Sequence, residues 1–360
     1  MKKILALLLL INLLACVAPA PKEKLKIGAI IPLSGPSSIW GESLQQGMTM
    51  ALEDLQNKGI SIDVIYEDSK GDGKEGLTAY NKLKNIDNVD VVFVALSRVG
   101  VPLIPLADKD KTPLFVTLAA GKDLPKSSKY VFRLFATAEQ YVMPPFTLIS
   151  KEKYPRIAVL YVNDEYGSSV HKAIKEQAAL KGITIVAEET TPPATTDFKT
   201  ELTKIKAANP DAILFALSTP IEILNFLKQA RELNIDKNVF ETSVMLSSKE
   251  IRGNSFAEGQ EAYSNTFSFD LQETGKDVFE RYKNKYGKDP FFGVSFGYDF
   301  ITLVGETTKG KSMNGDELVK KIVELKTFET LNGPVTITPD GEINPQLYLV
   351  KVTSEGIQKV

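Results

Sequence analysis

The sequence predicts an α/β protein built from two doubly wound halves, and three observations predict it. Short apolar runs, Ile27–Leu33, Val89–Leu96, Ile157–Val162 and Ala212–Leu217, have the length of strands covered on both faces. Between them lie segments with apolar residues at helical spacing, such as Leu44, Met48, Leu52 and Leu55. The pattern also repeats: Phe93-Val94-Ala95-Leu96-Ser97 returns as Leu214-Phe215-Ala216-Leu217-Ser218, and Trp40-Gly41 returns as Tyr166-Gly167. Two halves of this kind form two domains whose strand ends face each other. The length of 360 residues fits two domains.

The first half opens on Lys26–Gly41, KIGAIIPLSGPSSIWG, a strand and a small-residue turn that lead to Trp40 and to a helix from Glu42. Ile60–Glu67 alternates as a strand, and Asp68–Gly73 reads as a turn with Asp72 near a helix start. Leu77, Tyr80 and Leu83 mark that helix. Strand Val89–Leu96 ends in Ser97-Arg98. Helix Val101–Asp110, strand Pro113–Leu118 and the loop Ala119-Ala120-Gly121 complete the half. In Glu139–Ser150 the pair Pro144-Pro145 requires a kink or a helix start.

The second half runs through strand Ile157–Val162, the loop Asn163–Gly167 and a helix along Val170, Ala173, Ile174, Gln177 and Leu180. Strand Ile183–Glu188, a long polar loop to Asp197 and a helix at Phe198, Leu202 and Ile205 follow. Strand Ala212–Leu217 ends in Ser218-Thr219, before helix Ile221–Leu233 and strand Val239–Val244. The last third breaks the rhythm. Tyr263–Phe269 is extended, and Asp277–Tyr286, Phe292–Lys309 and Asn314–Leu325 are helical, the last with Asn314 as N-cap. Val335–Thr338 and Leu347–Thr353 read as a hairpin on the Asp340-Gly341 turn.

Composition removes several classes of function. Hydrophobic residues are 43% and charged residues 24%, with net charge −2, so no basic field points to nucleic acid. One His and one Cys rule out a His- or Cys-rich metal centre. Neither a Walker motif nor G-x-G-x-x-G occurs, and no cofactor is expected. At the N-terminus, Lys2 and Lys3 precede the apolar stretch Ile4–Leu14, which is too short to span a membrane. It ends Leu13-Leu14-Ala15-Cys16, which resembles the bacterial lipobox. Residues 1–15 are thus expected to be a lipoprotein signal peptide, Cys16 the lipidated residue, and 16–25 a tether on the outer side of a bacterial membrane.

Gly293-Val294-Ser295-Phe296-Gly297 matches the nucleophile elbow of serine hydrolases, which gives an enzymatic alternative through Ser295. That order needs an acid and then a histidine after the serine, whereas His171 precedes it. The run is also helical, where two small residues four apart suit close helix packing. Arg98, after a buried strand, either clamps an anionic ligand group or forms a salt bridge at the cleft mouth. Trp40 either covers a ligand or caps the sheet edge. Ser97 and Ser218 are small hydroxyls at matching strand ends, suited to hydrogen-bond a polar ligand.

Together, KIGAIIPLSGPSSIWGESLQQG, VFVALS, FVTLAAGKDL, RIAVLYVNDEYGSSV and DFKTELTKIKAANPDAILFALS resemble the leucine/isoleucine/valine-binding proteins, type I extracellular solute receptors of ABC transporters. The resemblance implies two Rossmann-like lobes joined by a three-segment hinge, 26–137 with 267–333 and 138–266 with 334–360, and no enzymatic activity. It implies that a small polar ligand, an amino acid or related carboxylate or amide, is captured between the lobes and delivered to an ABC permease. A sensory receptor of the same fold is the alternative. Ser97, Ala119, Ala120, Gly121 and Tyr166 match the places that hold the ligand's carboxylate and ammonium, and Trp40 matches a covering aromatic. Gly121 stands where a threonine is expected, and Ser218-Thr219 stand in place of an aromatic. The acid that pairs with the ammonium falls near Ser243, with Glu241 two residues away as a substitute.

Overall fold

The computed structural model describes residues 24–121, 124–247, 251, 261–266, 273–353 and 356–360. The segment holding Cys16 lies outside them, as do 267–269 of the expected extended stretch. Strands β1 (Lys26–Ile31), β2 (Asp63–Asp68), β3 (Val91–Ala95), β4 (Leu114–Thr117) and β5 (Val131–Leu134) form a parallel sheet in the order β2-β1-β3-β4-β5. The second sheet repeats that order with β6 (Arg156–Val162), β7 (Thr184–Thr191), β8 (Ala212–Ala216), β9 (Asn238–Glu241) and β10 (Ala262–Thr266), as β7-β6-β8-β9-β10. Strands β1, β3 and β8 are buried nearly throughout, because helices cover both faces of each sheet.

Helix α1 (Ser38–Asn57) begins earlier than the expected Glu42. Gly35 adopts φ 80°, and the Ser38 amide donates to its carbonyl, so the turn passes directly into the helix. Trp40 therefore sits on the first helical turn. Helix α2 (Gly73–Asn85) is capped by Asp72, whose carboxylate accepts from the Lys74 amide at 2.8 Å. A single short turn, α3 (Ser97–Gly100), follows β3 directly, and α4 (Ile104–Lys109) leads to β4. The Pro144-Pro145 pair divides its segment into α5 (Ala138–Val142) and α6 (Pro145–Leu148).

In the second half α7 (Glu165–Lys181), α8 (Lys199–Ala208) and α9 (Pro220–Glu232) connect the strands. Strand β7 runs three residues beyond the expected end at Glu188, since 189–191 keep pairing with β6 as far as Val162. Strand β9 is shorter than expected, and 245–247 form one 3₁₀ turn.

Helices α10 (Glu273–Tyr286) and α11 (Gly293–Thr308) return to the first sheet. Arg281 grips Asp54 of α1 through two bonds of 2.9 Å. Backbone meets backbone where α11 crosses α1. A Cβ on Gly297 would lie 2.1 Å from the Leu44 carbonyl, one on Gly47 2.0 Å from that of Val294, and one on Gly293 2.1 Å from Ser43 Oγ. Ser295 is buried within this packing, donating to the Phe292 carbonyl and accepting from Asn332. The G-x-S-x-G run is therefore a helix-packing motif. Helix α12 (Gly315–Glu324) is capped by Asn314 through Glu317 N at 2.9 Å.

The C-terminal expectation needs correction. The hairpin lies earlier, between β11 (Thr327–Thr330) and β12 (Gly333–Thr336), around Leu331-Asn332. The Asp340-Gly341 turn does reverse the chain, but β13 (Glu342–Ile343) then extends the first sheet beside β5. Only β14 (Tyr348–Val352) and β15 (Ile357–Lys359) join the second sheet. The final crossing thus falls between Ile343 and Tyr348, not at 333–335, so 334–343 lie with the first lobe. The anchor is a buried ion pair that hydropathy does not reveal. Arg133 of β5, fully buried, donates through Nε to Glu342 Oε2 at 2.8 Å and through Nη2 to Oε1.

Candidate functional site

The carboxyl edges of the two sheets face each other across a cavity of about 480 Å³ of empty volume, its mouth included. Ligands bind at this edge in open α/β sheets. The first lobe contributes Trp40 from α1, the ends of β3 and β4 through Leu96, Ser97, Arg98 and Leu118, and Phe135 beyond β5. The second contributes Tyr141 of α5 (its carbonyl accepts from Asn265), Asp164 and Tyr166 after β6, Leu217 and Ser218 after β8, and Ser243 to Met245 after β9. The surface is mainly apolar, with a few hydroxyls and one charged pair.

Backbone strain marks the site. Leu96 has φ 79° and ψ 133°, a region usually left to glycine, and Leu118 has φ 53°. Both end strands at the cavity wall, and Leu96 turns the chain so that Ser97 starts α3 beside the cavity. Among the described residues, the buried hydroxyl oxygens of Ser97 and Ser218 make no hydrogen bond, and the buried Tyr166 phenol, which faces Thr242 and Ser243, makes none of normal geometry. Buried polar groups are nearly always paired, so these hydroxyls, drawn from both lobes around one cavity, suit a ligand with hydrogen-bonding groups. Burial, followed by the nearby Glu241, pushes the Tyr166 phenol well above its usual pKa, so it remains a neutral donor.

Arg98 lines the cavity, but its guanidinium is engaged by protein. Nε donates to the Gly71 carbonyl at 2.5 Å, Nη2 to Ser37 Oγ at 3.1 Å, and Nη1 to Asp164 Oδ2 of the opposite lobe at 3.2 Å. Asp164 is also the N-cap of α7, accepting from Gly167 N at 2.9 Å. Burial raises the Asp164 pKa, while the Gly167 amide and Arg98 pull it down.

Of the ten sequence-derived ligand residues, Trp40, Ser97, Arg98, Tyr166, Ser218 and Ser243 come together here. Trp40 is 5% exposed and packs edge-on against Phe291 at 4.7 Å, so it both lines the cavity and seals the sheet edge. Ala119, Ala120, Gly121 and Thr219 do not line it. The carbonyls of Ala119 and Gly121 accept from Arg133, and that of Ala120 accepts from the Ala138 amide at 2.8 Å, which turns the loop away. Thr219 is the N-cap of α9 in a capping box with Glu222, and this consumes its hydroxyl. Glu241 is fully buried. It accepts from Ser243 Oγ, from Ser264 Oγ at 2.5 Å and from Leu246 N at 2.7 Å, so Ser243 stands between it and the cavity. Burial raises its pKa, against these hydrogen bonds.

Asp164 was not singled out from the sequence, although its place after a strand and three residues before Gly167 is an N-cap signal. Leu118, Phe135 and Tyr141 carried no signal beyond core hydrophobicity. His171 lies on α7, stacked on Tyr161 at 4.2 Å and paired with Glu188 at 2.6 Å, away from the cavity lining.

A family model described as periplasmic binding protein matches residues 24–357. The chain belongs to the periplasmic binding protein family. Its family and fold are those of non-enzymatic solute-binding proteins. Among relatives, the Leu/Ile/Val-binding protein homolog 3 of Brucella melitensis biotype 1 is 27% identical over 205 residues, 55% of this chain and 55% of that protein. The match thus spans about half that relative's length. The branched-chain amino acid transporter substrate-binding protein of Streptococcus pneumoniae, solved with isoleucine, superposes with a TM-score of 0.81 at 22% identity, covering 93% of this chain and 98% of that one. An ABC-transporter solute-binding protein of Rhodopseudomonas palustris BisB5, solved with 3,4-dihydroxybenzoic acid, gives 0.79 at 23% identity, with 93% and 97% covered. These likenesses show a type I periplasmic binding protein fold of two doubly wound lobes.

Proposed function

We propose that this protein is an extracytoplasmic solute receptor that captures a small organic molecule between its lobes and hands it to an ABC permease. Lipidation of Cys16 holds it to the membrane. The carrying observation is the set of buried hydroxyls of Ser97, Tyr166 and Ser218 around one interlobe cavity, those of Ser97 and Ser218 without a hydrogen bond among the described residues. A solute with hydrogen-bonding groups satisfies all three, and it touches both lobes, so binding favours their apposition. The two structural relatives were solved with isoleucine and with 3,4-dihydroxybenzoic acid, both small organic molecules with hydrogen-bonding groups.

The test is a thermal-shift screen of the purified chain over amino acids, aromatic acids, amides and alcohols. A ligand that binds the folded state alone raises Tm, by an amount that grows with the logarithm of its concentration above Kd. At least one compound is expected to do so, and Ser218→Phe, which fills the cavity, is expected to abolish the response. A panel without any hit, or an undiminished response in the filled variant, refutes the reading.

A further inference from the structure

We propose that the cavity selects an uncharged, mainly apolar solute carrying neutral hydrogen-bonding groups, such as an amide or alcohol, over a carboxylate or a zwitterionic amino acid. This rests on the cavity being the solute site. Among the described residues that line it, the charged ones are Arg98 and Asp164, and they are paired with each other at 3.2 Å. Arg98 is held further by Gly71 and Ser37, and Asp164 by Gly167. The wall therefore presents a compensated pair, not a cation awaiting an anion.

The acids behind the wall are sealed: Glu222 accepts from the Ser218 and Ala194 amides at 2.9 and 2.7 Å. Both oxygens of Glu241 accept hydrogen bonds, and Ser243 covers its cavity side. Among the described residues, a ligand ammonium finds no open carboxylate. Placing an ion in a mainly apolar cavity without a counter-ion forfeits its hydration. What remains open is neutral: Ser97 and Ser218 hydroxyls, which donate and accept, and the Tyr166 phenol. Trp40, Leu96, Leu118 and Leu217 supply the apolar surface. Neutral polar groups match that complement.

Calorimetry at pH 7.5 on two matched series separates the cases: leucine, 4-methylpentanoate, 4-methylpentanamide and 4-methylpentan-1-ol, and phenylalanine, 3-phenylpropanoate, 3-phenylpropanamide and 3-phenylpropan-1-ol. In at least one series the amide or alcohol is expected to bind at least tenfold tighter than the acid and the amino acid. An acid or amino acid that binds as tightly as its neutral partners overturns the inference and leaves the receptor reading standing. Absence of binding across both series, with no hit in the wider screen, overturns the receptor reading and this inference with it. Asp164→Asn supplies a second readout. Asn keeps the oxygen that caps Gly167 but releases the Arg98 charge, so the acid is expected to gain at least fivefold relative to the amide. An unchanged ratio overturns the assignment of Asp164 as the group that masks Arg98.

Discussion

The bridge between Arg98 and Asp164 joins the lobes directly, so its removal is expected to weaken every ligand that requires the lobes to come together. The Arg98 side chain is 23% exposed and that of Asp164 7%. At this distance, with an effective dielectric constant near 20, the bare attraction is on the order of 5 kcal/mol. Desolvation offsets most of it. Charged hydrogen bonds in proteins net about 1.5–3 kcal/mol, exposed pairs about 0–1, and the partial exposure of Arg98 discounts the former to roughly 1–2 kcal/mol. The bond forms only with the lobes apposed, so that amount enters ligand affinity through the closure equilibrium, as a roughly 5–30-fold change. The assay is a double-mutant cycle by calorimetry with Arg98→Ala, Asp164→Asn and the double variant, using the tightest ligand of the matched series. Each single variant is expected to bind more weakly, with a coupling of about 1–2 kcal/mol between them. Additive losses, with coupling under about 0.5 kcal/mol, refute the latch. Loss on Arg98→Ala confined to anionic ligands and insensitive to Asp164 points instead to direct anion recognition.

Three further outcomes are expected. Gly297→Ala places a methyl against the Leu44 carbonyl and is expected to cost about 1–3 kcal/mol, lowering Tm by several degrees in differential scanning calorimetry; an unchanged Tm contradicts the close helix crossing. Asp299 is buried with the Leu331 amide on one oxygen at 2.9 Å, and burial holds its pKa well above the usual carboxylate range. Its contribution to stability is complete below the unfolded pKa of about 3.9 and is lost as pH rises through the raised folded value. Asp299→Asn, which keeps the acceptor, should therefore gain on wild type with rising pH, by about 1.4 kcal/mol per unit within that window, and a pH-independent difference in urea melts argues against it. Cys16→Ser is expected to leave the membrane fraction upon cell fractionation, and retention equal to wild type removes the lipid anchor.

The strands and the repeat were legible because they depend on local composition. Continuous apolar runs such as Val91–Ala95, short, rich in β-branched residues and bounded by polar turns, suit a strand in a sheet covered on both sides. The six site residues that came together share one property, a position just past a strand or on a first helical turn. The place just past an apolar strand is readable from hydropathy, whereas the helical turns that carry Trp40 and Tyr166 read as loops in the sequence. What was not legible depended on partners distant in sequence. Glu342 joins the first sheet because Arg133, more than two hundred residues earlier, is buried opposite it. The same Arg133 withdraws the 119–121 loop from the cavity. No periodicity encodes such a pairing.

Arg98 shows where a strand-end rule reaches its limit. Its position predicted a cation at the cleft, and it is there. Its function depends on what faces it, and that is set by Asp164, whose own position follows from capping a helix in the other lobe. One carboxylate thus does two jobs, with Oδ1 on the Gly167 amide and Oδ2 on Arg98. The cap fixes the carboxylate in place before the lobes meet, which lowers the entropy lost when the bridge forms. A site built this way couples ligand capture to lobe closure through a bond the ligand need not touch. It also leaves neutral hydroxyls as the open polar contacts, while the Arg98–Asp164 pair bears both on closure and, by masking the Arg98 charge, on selectivity, so a substitution at either residue moves both.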